Sequence, residues 1–261
     1  MRTGGRPDRS SEPNSITNIT KRSAASAPRG VSSAAKVSAI LLSWRRVENL
    51  NRIVADLRRW KRVNEIIIWN NNSDRTLSYQ DTTVINAPRN FGSLARYCVV
   101  PLAINDTIWF QDDDIFVNEA QFDTVFKAYL TNTNRIYGCR GRNLTNGVYA
   151  MADAFGECDI IVSQTMMFHR SLLHHLFQLL GHIPILRGGD DIAFSLSCPT
   201  QHMAVDVGPL EEIGWDDENA QWRMPGWLKI RQRQVDMMLP FRTAIDRRSS
   251  LARQCKTKKG H

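Results

Sequence analysis

From Lys36 onward, apolar and polar residues follow each other in the pattern of short buried strands and amphipathic helices. The segment KVSAILLSW, residues 36–44, predicts a buried strand, because its large apolar residues are nearly uninterrupted. The segment after it predicts a helix, with apolar residues recurring on one face. The residues on that face are Val47, Leu50, Ile53, Val54 and Leu57.

The same alternation continues up to residue 110. Apolar runs at 64–69, 82–86 and 107–110 predict three more strands, and residues 92–104 predict a helix interrupted near Pro101. Strands that alternate with helices over short connections are typical of an α/β fold with a mostly parallel sheet. We therefore expect that fold class.

The second half of the chain predicts further elements of both kinds. Residues 118–130 predict a helix with Asn118 as its N-cap. The remaining predicted strands are 135–142, 147–151, 159–162, 164–168 and 202–207, and the remaining predicted helices are 170–180, 187–198 and 226–239.

Polar side chains follow each of the first four predicted strands. The stretches are SWRR with Ser43 and Arg46, NNN beginning at Asn70, NAPRN ending at Asn90, and QDDD, residues 111–114. In open α/β sheets, ligands bind at the carboxyl ends of the strands. The sequence therefore predicts one functional site where these four strand ends meet.

The aspartates after the fourth strand indicate a metal site. Asp112 and Asp114 have D-x-D spacing, so both carboxylates lie on one face of an extended segment. Carboxylate oxygens are ligands for Mn²⁺ or Mg²⁺, and such a cation relieves the repulsion among the acidic groups. We expect Asp114 and Asp112 to hold the cation, which commonly also binds a substrate's phosphates.

A second acidic pair opens a predicted helix. Gly188 and Gly189 permit unusual backbone dihedrals, and Asp190 and Asp191 follow them directly. Carboxylates in the first helical turn complement the helix dipole, which is the structural explanation. Beside a D-x-D site, one of the two becomes a candidate catalytic carboxylate.

A phosphate-bearing substrate also needs positive charge. Arg46 follows the first strand and is placed to reach phosphates, whereas Arg45 fits a solvated surface. The other candidate cations are Arg89, Arg96, Lys229, Arg231 and Arg233. Three tryptophans, Trp215, Trp222 and Trp227, predict either a stacking platform for an acceptor sugar or ordinary core packing.

The basic residues concentrate in two predicted tails. The chain has 261 residues and a net charge of +8. Residues 1–35 are rich in Ser, Pro, Gly and Arg and predict a disordered basic tail, and residues 242–261 form a second basic tail. The segment between them, 36–241, is expected to be the folded domain and to carry a net negative charge. Because its own charge does not suit a polyanion, no specific nucleic acid is expected as a partner.

Cysteines, histidines and hydropathy exclude several classes of protein. The five cysteines contain no CxxC pair and predict reduced, buried thiols, and the histidines show no metal-binding pattern. The N-terminus has no apolar signal segment and no run is long enough to span a membrane, so a cytoplasmic location is expected. A Golgi or ER location would require an anchor that this sequence does not contain.

Four segments resemble glycosyltransferase family 64, the exostosin C-terminal and exostosin-like domains, which have the GT-A (Rossmann-like) fold. They are AILLSWRRVENLNRIV, EIIIWNNNS, IWFQDDDI and GGDDIAFS. These segments occur in the same order and with similar spacing as in the family, and together they span roughly residues 37–240. The segment RNFGSLARY departs from the family pattern and is closer to inverting family 2 enzymes.

The resemblance implies roles for individual residues. Asp114 would bind Mn²⁺ directly, with Asp112 and Asp113 near the ribose and the donor sugar. Arg46 and Asn70 would contact the nucleotide diphosphate, and Arg96 the nucleotide or phosphate. Asp191 would stand at the reaction centre and is the first candidate for the catalytic carboxylate. Asp190 is the second candidate. A basic residue of the late helix, Arg231 or else Lys229, would contact the diphosphate. The remaining donor-binding candidates are Ser43, Asn90 and Gly189.

The predicted function is metal-dependent transfer of a sugar from a nucleotide-diphosphate donor, with UDP-sugar as the donor class, to a glycan or other hydroxyl acceptor. The resemblance implies retention of anomeric configuration. Three alternatives remain open at this stage. They are an inverting family 2-like transferase with Asp190 or Asp191 as base, a metal-dependent nucleotidyltransferase or nuclease, and a non-catalytic binding module with a degenerate transferase fold.

Overall fold

The computed structural model describes residue 32 and residues 34–214, 216–218 and 220–257, with side chains up to Arg242. Most of the predicted N-terminal tail, residues 1–35, lies outside the described residues. Trp215 also lies outside them.

Fourteen strands are formed by the described residues. They are β1 (Val37–Ser43), β2 (Val63–Asn70), β3 (Thr83–Asn86), β4 (Thr107–Asp112), β5 (Ile115–Phe116), β6 (Tyr137–Gly138), β7 (Gly141–Arg142), β8 (Leu144–Thr145), β9 (Val148–Tyr149), β10 (Gly156–Cys158), β11 (Ile160–Ile161), β12 (Thr165–His169), β13 (His202–Ala204) and β14 (Glu211–Glu212).

The helices alternate with the first strands, as the sequence predicts. They are α1 (Val47–Leu57), α2 (Ala95–Val99), α3 (Glu119–Thr131), α4 (Leu173–Leu179), α5 (Asp190–Ser197) and α6 (Trp227–Thr257). Three single-turn 3₁₀ segments accompany them: Val100–Leu102, Arg170–Leu172 and Gln221–Arg223.

Eight strands form one central sheet in the order β10-β13-β6-β12-β4-β1-β2-β3. Strands β3, β2, β1 and β4 run parallel to one another, β12 runs antiparallel to both of its neighbours, and β13 runs parallel to β6. The sheet is therefore mostly parallel where the first four strands meet. The predicted α/β class is confirmed.

The two faces of the sheet bury two different apolar clusters. Successive residues of a strand point to opposite faces, and β4 shows it clearly. Ile108 and Phe110 pack in one cluster with residues of α2, α4, α5 and α6, whereas Trp109 packs in the other with residues of α1 and α3. Because both faces are covered by helices, the strands read as nearly continuous apolar runs.

The start of α3 agrees with the sequence prediction, whereas the end of α6 lies further along the chain than predicted. Asn118 caps α3 through a capping box: its side chain accepts from the Gln121 amide N–H at 3.0 Å, and the Gln121 side chain accepts from the Asn118 amide N–H at 3.0 Å. At the other end of the chain, α6 continues past Pro240 to Thr257. The predicted tail 242–261 therefore begins within this helix, and residues 258–261 lie outside the described part.

Two predictions from the sequence need correction. The single strand expected over 135–142 is divided into β6 and β7, which pair in different sheets. At Gly138 a Cβ atom would lie 2.4 Å from the Thr165 carbonyl oxygen, so the backbones approach too closely for any larger residue. Of the cysteines whose side chains are described, Cys139, Cys158 and Cys198 are free and buried as expected, but Cys98 is exposed.

Candidate active site

The parallel register brings the four predicted strand ends to one edge of the sheet. Ser43 at the end of β1 pairs with Asn70 of β2, and Asn70 pairs with Asn86 of β3. On the other side of β1, Leu42 pairs with Asp112 of β4. This edge therefore carries the polar residues that the sequence placed after each strand.

Arg46 is the centre of the acidic cluster after β4. Its Nη1 donates to Asp113 Oδ1 at 3.0 Å and lies 3.3 Å from Asp114 Oδ2. Its Nε and Nη2 donate to the two carboxylate oxygens of Asp217 at 2.9 Å and 3.0 Å, and Nη2 also donates to the Gly214 carbonyl at 2.7 Å. All three guanidinium nitrogens are thus engaged by protein oxygens.

The ion pairs around Arg46 keep its guanidinium charged. Burial by itself would lower the pKa of Arg46, but the hydrogen bond to Asp217 and the charges of Asp113 and Asp114 raise it above its usual value. Arg46 therefore partly neutralises the aspartates. Its positive charge is one reason why three adjacent carboxylates are tolerated at the end of this strand.

Arg46 does not fully compensate Asp113 and Asp114. Burial raises the pKa of Asp113 to about 6, despite its contacts with Arg46. Burial, followed by the charges of Asp112 and Asp113, raises the pKa of Asp114 to about 7. Asp114 Oδ1 is buried and has no hydrogen-bond partner. A buried carboxylate oxygen without a donor is costly, and a cation at this position would remove that cost.

The arrangement suits a cation that is shared with a ligand. Within the described ranges, no three His, Cys, Asp or Glu side chains converge as a complete metal cage. Mg²⁺ and Mn²⁺ sites commonly use only one or two carboxylates and complete the shell with water and substrate phosphates. Asp114 and Asp112 therefore have the donor atoms that a divalent cation requires, and one oxygen of Asp114 is free to bind it.

Arg96 holds the other end of the cluster. Its side chain is 1% exposed, and its Nη1 lies 2.7 Å from Asp112 Oδ1. The same side chain donates to the Ser163 carbonyl at 3.1 Å and to Ser163 Oγ at 3.3 Å. Burial would lower the pKa of Arg96, but the charges of Asp112 and Asp190 raise it. Arg96 thus links the D-x-D segment electrostatically to the acidic helix α5.

The asparagines at this edge mostly stabilise the turns that carry them. The Asn70 amide donates to the carbonyls of Asn72 and Arg75 and to Asn86 Oδ1, at 3.2, 2.6 and 2.9 Å. Asn90 is exposed and accepts from the Gly92 amide at 2.8 Å. Ser43 Oγ, in contrast, is buried without a partner.

Asp191 is bound by Arg231 of α6. Nη1 and Nη2 of Arg231 lie 2.7 Å and 2.9 Å from Oδ1 and Oδ2 of Asp191, in a bidentate pair whose side chains are 5% and 1% exposed. Arg231 also donates to the Gly188 carbonyl at 2.8 Å and to Tyr149 Oη at 2.6 Å. Its guanidinium lies over the rings of Tyr149 and Trp227.

The glycines before α5 are required by close contacts with α6. Gly188 has φ +76°, and a Cβ atom there would lie 2.2 Å from the Trp227 ring. A Cβ atom on Gly189 would lie 2.8 Å from the Gln234 side chain, which also accepts from the Leu186 amide at 2.8 Å. Trp227, Arg231 and Gln234 follow each other at helical spacing, so one face of α6 positions the acidic pair.

Asp190 faces a cleft with a volume of about 500 Å³. One of its oxygens accepts a hydrogen bond from Ser93 Oγ, and the other, Oδ2, is buried without a partner. The cleft passes from the loop after β3 to the segment before α5, and Trp44 also lines it. The Trp44 amide donates to Asp113 Oδ2 at 3.4 Å, so the cleft adjoins the aspartate cluster.

Other candidates from the sequence lie outside this cluster. Lys229 is exposed, unlike Arg231, and Trp222 is 43% exposed.

Sequence reasoning missed three residues that shape the site: Ser93, Asp217 and Gln234. No local motif marks them, because each acts across a distance of at least 48 residues along the chain.

Comparison with known proteins identifies the family of the chain and the fold that it resembles. The family model described as "Glycosyl transferase family 64 domain" matches residues 37–221. A comparison with curated proteins found no match. In the described part of the chain, no helix is both long and apolar enough to cross a bilayer.

The fold also resembles solved structures. One of them is the "Crystal structure of GalNAc-T7 with UDP, GalNAc and Mn2+", with a TM-score of 0.56 and 10% sequence identity. The match covers 78% of this chain and 48% of that one, so this protein spans about half of the other chain's length. At such low identity the likeness concerns the fold alone, which is GT-A. Since the family model covers most of the chain, this protein belongs to glycosyltransferase family 64.

Proposed function

We propose that this protein transfers a sugar from a nucleotide-diphosphate donor, of the UDP-sugar class, to a hydroxyl group of a glycan or other acceptor, with Mn²⁺ or Mg²⁺ as cofactor. The observation that carries the proposal is that Arg96 pairs with Asp112 and also interacts electrostatically with Asp190, so the D-x-D segment and the acidic pair of α5 share one buried cation. Membership of family 64 supports sugar transfer, and the UDP and Mn²⁺ of the GalNAc-T7 crystal structure support the donor class and the cofactor.

Asp114 and Asp112 would hold the cation. The free, buried Oδ1 of Asp114 supports this assignment, since that oxygen has no other partner. A bound divalent cation supplies Lewis-acid stabilisation of the charge that develops on a departing diphosphate. Asp113, which is fixed by Arg46 and the Trp44 amide, is assigned to orienting the donor rather than to direct metal contact.

Basic groups would complete the donor site. Arg46 adjoins the aspartates, and Arg96 connects Asp112 to the acidic helix. Arg231 holds Asp191 and is assigned to the diphosphate side of the reaction centre. In a largely buried site such fixed cations stabilise negative charge more strongly than they would in water. The donor-binding set is completed by Ser43, Asn70, Asn90 and Gly189.

We assign the reaction to the retaining class, which the resemblance to the exostosin C-terminal and exostosin-like domains implies. The Asp191 carboxylate already has both oxygens bound to Arg231, which argues against its serving as a free covalent nucleophile. A front-face reaction, in which the leaving diphosphate and the acceptor lie on the same side of the sugar, needs no such nucleophile. NMR analysis of the anomeric linkage in the product tests this point, and an inverted linkage would contradict it.

The function itself is tested by incubating the purified protein with Mn²⁺ and a panel of sugar nucleotides while measuring nucleotide release. We expect release from at least one UDP-sugar, its loss on chelation, and its loss in Asp114→Asn. Asp81→Asn is the matched control, because Asp81 is exposed, lies near the opposite end of β3, and has φ +49°, which asparagine tolerates. Absence of release from every donor and acceptor tried, with UDP and Mn²⁺ also failing to bind, would overturn the proposal.

A further inference from the structure

Every N–H group of the Arg46 guanidinium has a protein oxygen beside it. A guanidinium has one N–H on Nε and two on each Nη. Nε lies 2.9 Å from Asp217 Oδ2, and Nη1 lies 3.0 Å from Asp113 Oδ1 and 3.3 Å from Asp114 Oδ2. Nη2 lies 3.0 Å from Asp217 Oδ1 and 2.7 Å from the Gly214 carbonyl oxygen. A phosphate group that binds Arg46 must therefore replace one of these oxygens.

The contact between Asp217 and Arg46 has the geometry with which arginine also binds phosphate. Both carboxylate oxygens meet the edge of the guanidinium formed by Nε and Nη2, and arginine binds carboxylate and phosphate alike in this bidentate way. The Asp217 side chain is 31% exposed, against 17% for Arg46. The Asp217 carboxylate can therefore pass into water when another anion takes its place, without becoming a buried unpaired charge.

The chain just before Asp217 is fastened to the turn that carries the aspartates. Strand β14 pairs with β5, and the Ile213 amide donates to the Asp114 carbonyl at 3.0 Å. Asn49 Nδ2 donates to a carbonyl of the same turn at 2.9 Å and to the Ile213 carbonyl at 3.0 Å. Asp217 follows Ile213 after a few residues, so its tether is short. A carboxylate tethered in this way competes for Arg46 at a high effective concentration.

Gly214 brings the backbone of this segment against the ion pair. It has φ +75°, and a Cβ atom there would lie 3.0 Å from Arg46 Nε and 3.1 Å from Asp217 Oδ2. A larger residue would crowd both members of the pair. The contact is therefore supported by the backbone as well as by the two side chains.

We propose that Asp217 competes with the diphosphate of the sugar donor for Arg46: it holds Nε and Nη2 before the donor binds and gives them up to phosphate oxygens. The inference rests on the proposed function and deepens it, since it makes Asp217 a determinant of donor affinity. A carboxylate that stayed in place would lie against phosphate oxygens of the same charge. When an internal group occupies a site for part of the time, the apparent affinity of the ligand falls with the fraction of open sites.

Isothermal titration with UDP in the presence of Mn²⁺ tests the competition. Asp217→Asn keeps the size of the side chain and removes its charge, so UDP should bind about threefold to 10-fold more tightly than to the wild type. Arg46→Gln removes the cation for which the two anions compete and should weaken UDP binding. Adding Asp217→Asn to Arg46→Gln should then change the affinity by less than about twofold, because the two effects share one contact.

Asp216→Asn provides the matched control. Asp216 is the neighbouring acidic residue, but it pairs with Arg223 at 3.2 Å, and both of these side chains are 52% exposed. The substitution removes the same charge from the same segment and leaves Asp217 on Arg46. UDP should bind to this variant within about twofold of the wild-type affinity. Thermal melting without UDP confirms that each variant is folded.

The outcomes separate this inference from the function beneath it. If the wild-type protein binds neither UDP nor any UDP-sugar with Mn²⁺, the donor class is wrong and the assignment of Asp217 is overturned with it. If the wild type binds UDP and Asp217→Asn binds it no more tightly, only the assignment of Asp217 is overturned. The same holds if Asp216→Asn tightens binding equally, which would be a general effect of charge, or if Asp217→Asn keeps its full effect without Arg46.

Discussion

Arg231 and Asp191 form a bidentate ion pair at 2.7 Å and 2.9 Å, in which both side chains are almost completely buried. Removing one partner of such a pair leaves the other charge buried and alone. We expect Arg231→Met to destabilise the fold by about 3–5 kcal/mol. The double variant Arg231→Met with Asp191→Leu should recover part of that loss, since no unpaired charge remains.

Denaturant unfolding measures this effect, and an exposed pair provides the comparison. Arg52 and Glu211 also form a bidentate contact, but their side chains are 47% and 51% exposed. Glu211→Gln should therefore leave the unfolding midpoint nearly unchanged. Equal destabilisation by Arg231→Met and Glu211→Gln would contradict the role that we assign to burial.

Asp114→Asn should stabilise the metal-free protein while removing its response to Mn²⁺. The pKa of Asp114 is raised to about 7 by burial and by Asp112 and Asp113, so the ionised form costs free energy in the folded state above that pH. Replacing the carboxylate by an amide should raise stability by about 1–3 kcal/mol at pH near 8. Thermal melting with and without Mn²⁺ measures both effects.

Asp113→Asn is the comparison within the same cluster. Asp113 is held by Arg46 and the Trp44 amide, so its substitution should reduce the Mn²⁺ response less than Asp114→Asn does. The opposite order would show that Asp113 is the main ligand.

His202 should make stability depend on pH in mildly acidic solution. Its Nε2 donates to the Ser195 carbonyl at 2.8 Å, and its Nδ1 accepts from the Ile136 amide at 3.2 Å, so the neutral ring is fully satisfied. Burial lowers the pKa of His202 from 6.5 to about 4, with Arg135 and Arg242 also disfavouring the charged form.

The direction in which stability changes with pH follows from whether the folded or the unfolded state binds the proton. Between the two pKa values of His202 the unfolded chain is protonated and the folded protein is not, so stability falls as the pH falls below 6.5. The slope should approach about 1.4 kcal/mol per pH unit. Urea unfolding from about pH 7 to about pH 5 should show a shallower slope for His202→Gln than for the wild type. Parallel slopes would contradict this assignment.

Gly188→Ala should lower the free energy of unfolding more than Gly208→Ala does. The backbone conformation by itself costs about 1–2 kcal/mol for a residue with a Cβ atom, and at Gly188 that atom would also lie 2.2 Å from the Trp227 ring. Gly208 has nearly the same φ, +75°, but nothing lies within 4 Å of the Cβ position. Gly208→Ala therefore measures the cost of the backbone strain by itself. The additional loss of stability in Gly188→Ala, measured by chemical denaturation, is due to the contact with α6.

Much of the fold follows from local pattern. The apolar runs that end at Ser43, Asn70, Asn86 and Asp112 are the four parallel strands, and their polar ends share one edge because parallel strands present the same end there. Asn118 caps its helix because a side-chain oxygen at that position satisfies an amide of the first turn. These features depend on residues close together in sequence.

The strand boundary that failed depends on a distant contact. Residues 135–142 have the composition of one strand, but Gly138 meets the backbone at Thr165 and the chain changes sheet within this segment. That contact is not visible in a local window. Helix α6 extends to Thr257, beyond residue 239, where the predicted helix ends.

The amino-acid sequence was sufficient to establish the fold class and the position of the D-x-D and Asp-Asp segments, because strand periodicity and local motif chemistry are properties of neighbouring residues. The packed structure was needed to show that Asp191 is closed by Arg231 while Asp190 keeps a free oxygen. It was also needed to show that Arg46 is occupied by Asp217 as well as by the aspartates of the strand end. Such distinctions arise from partners at least 40 residues away, whose distances are fixed only when the helices pack on the sheet.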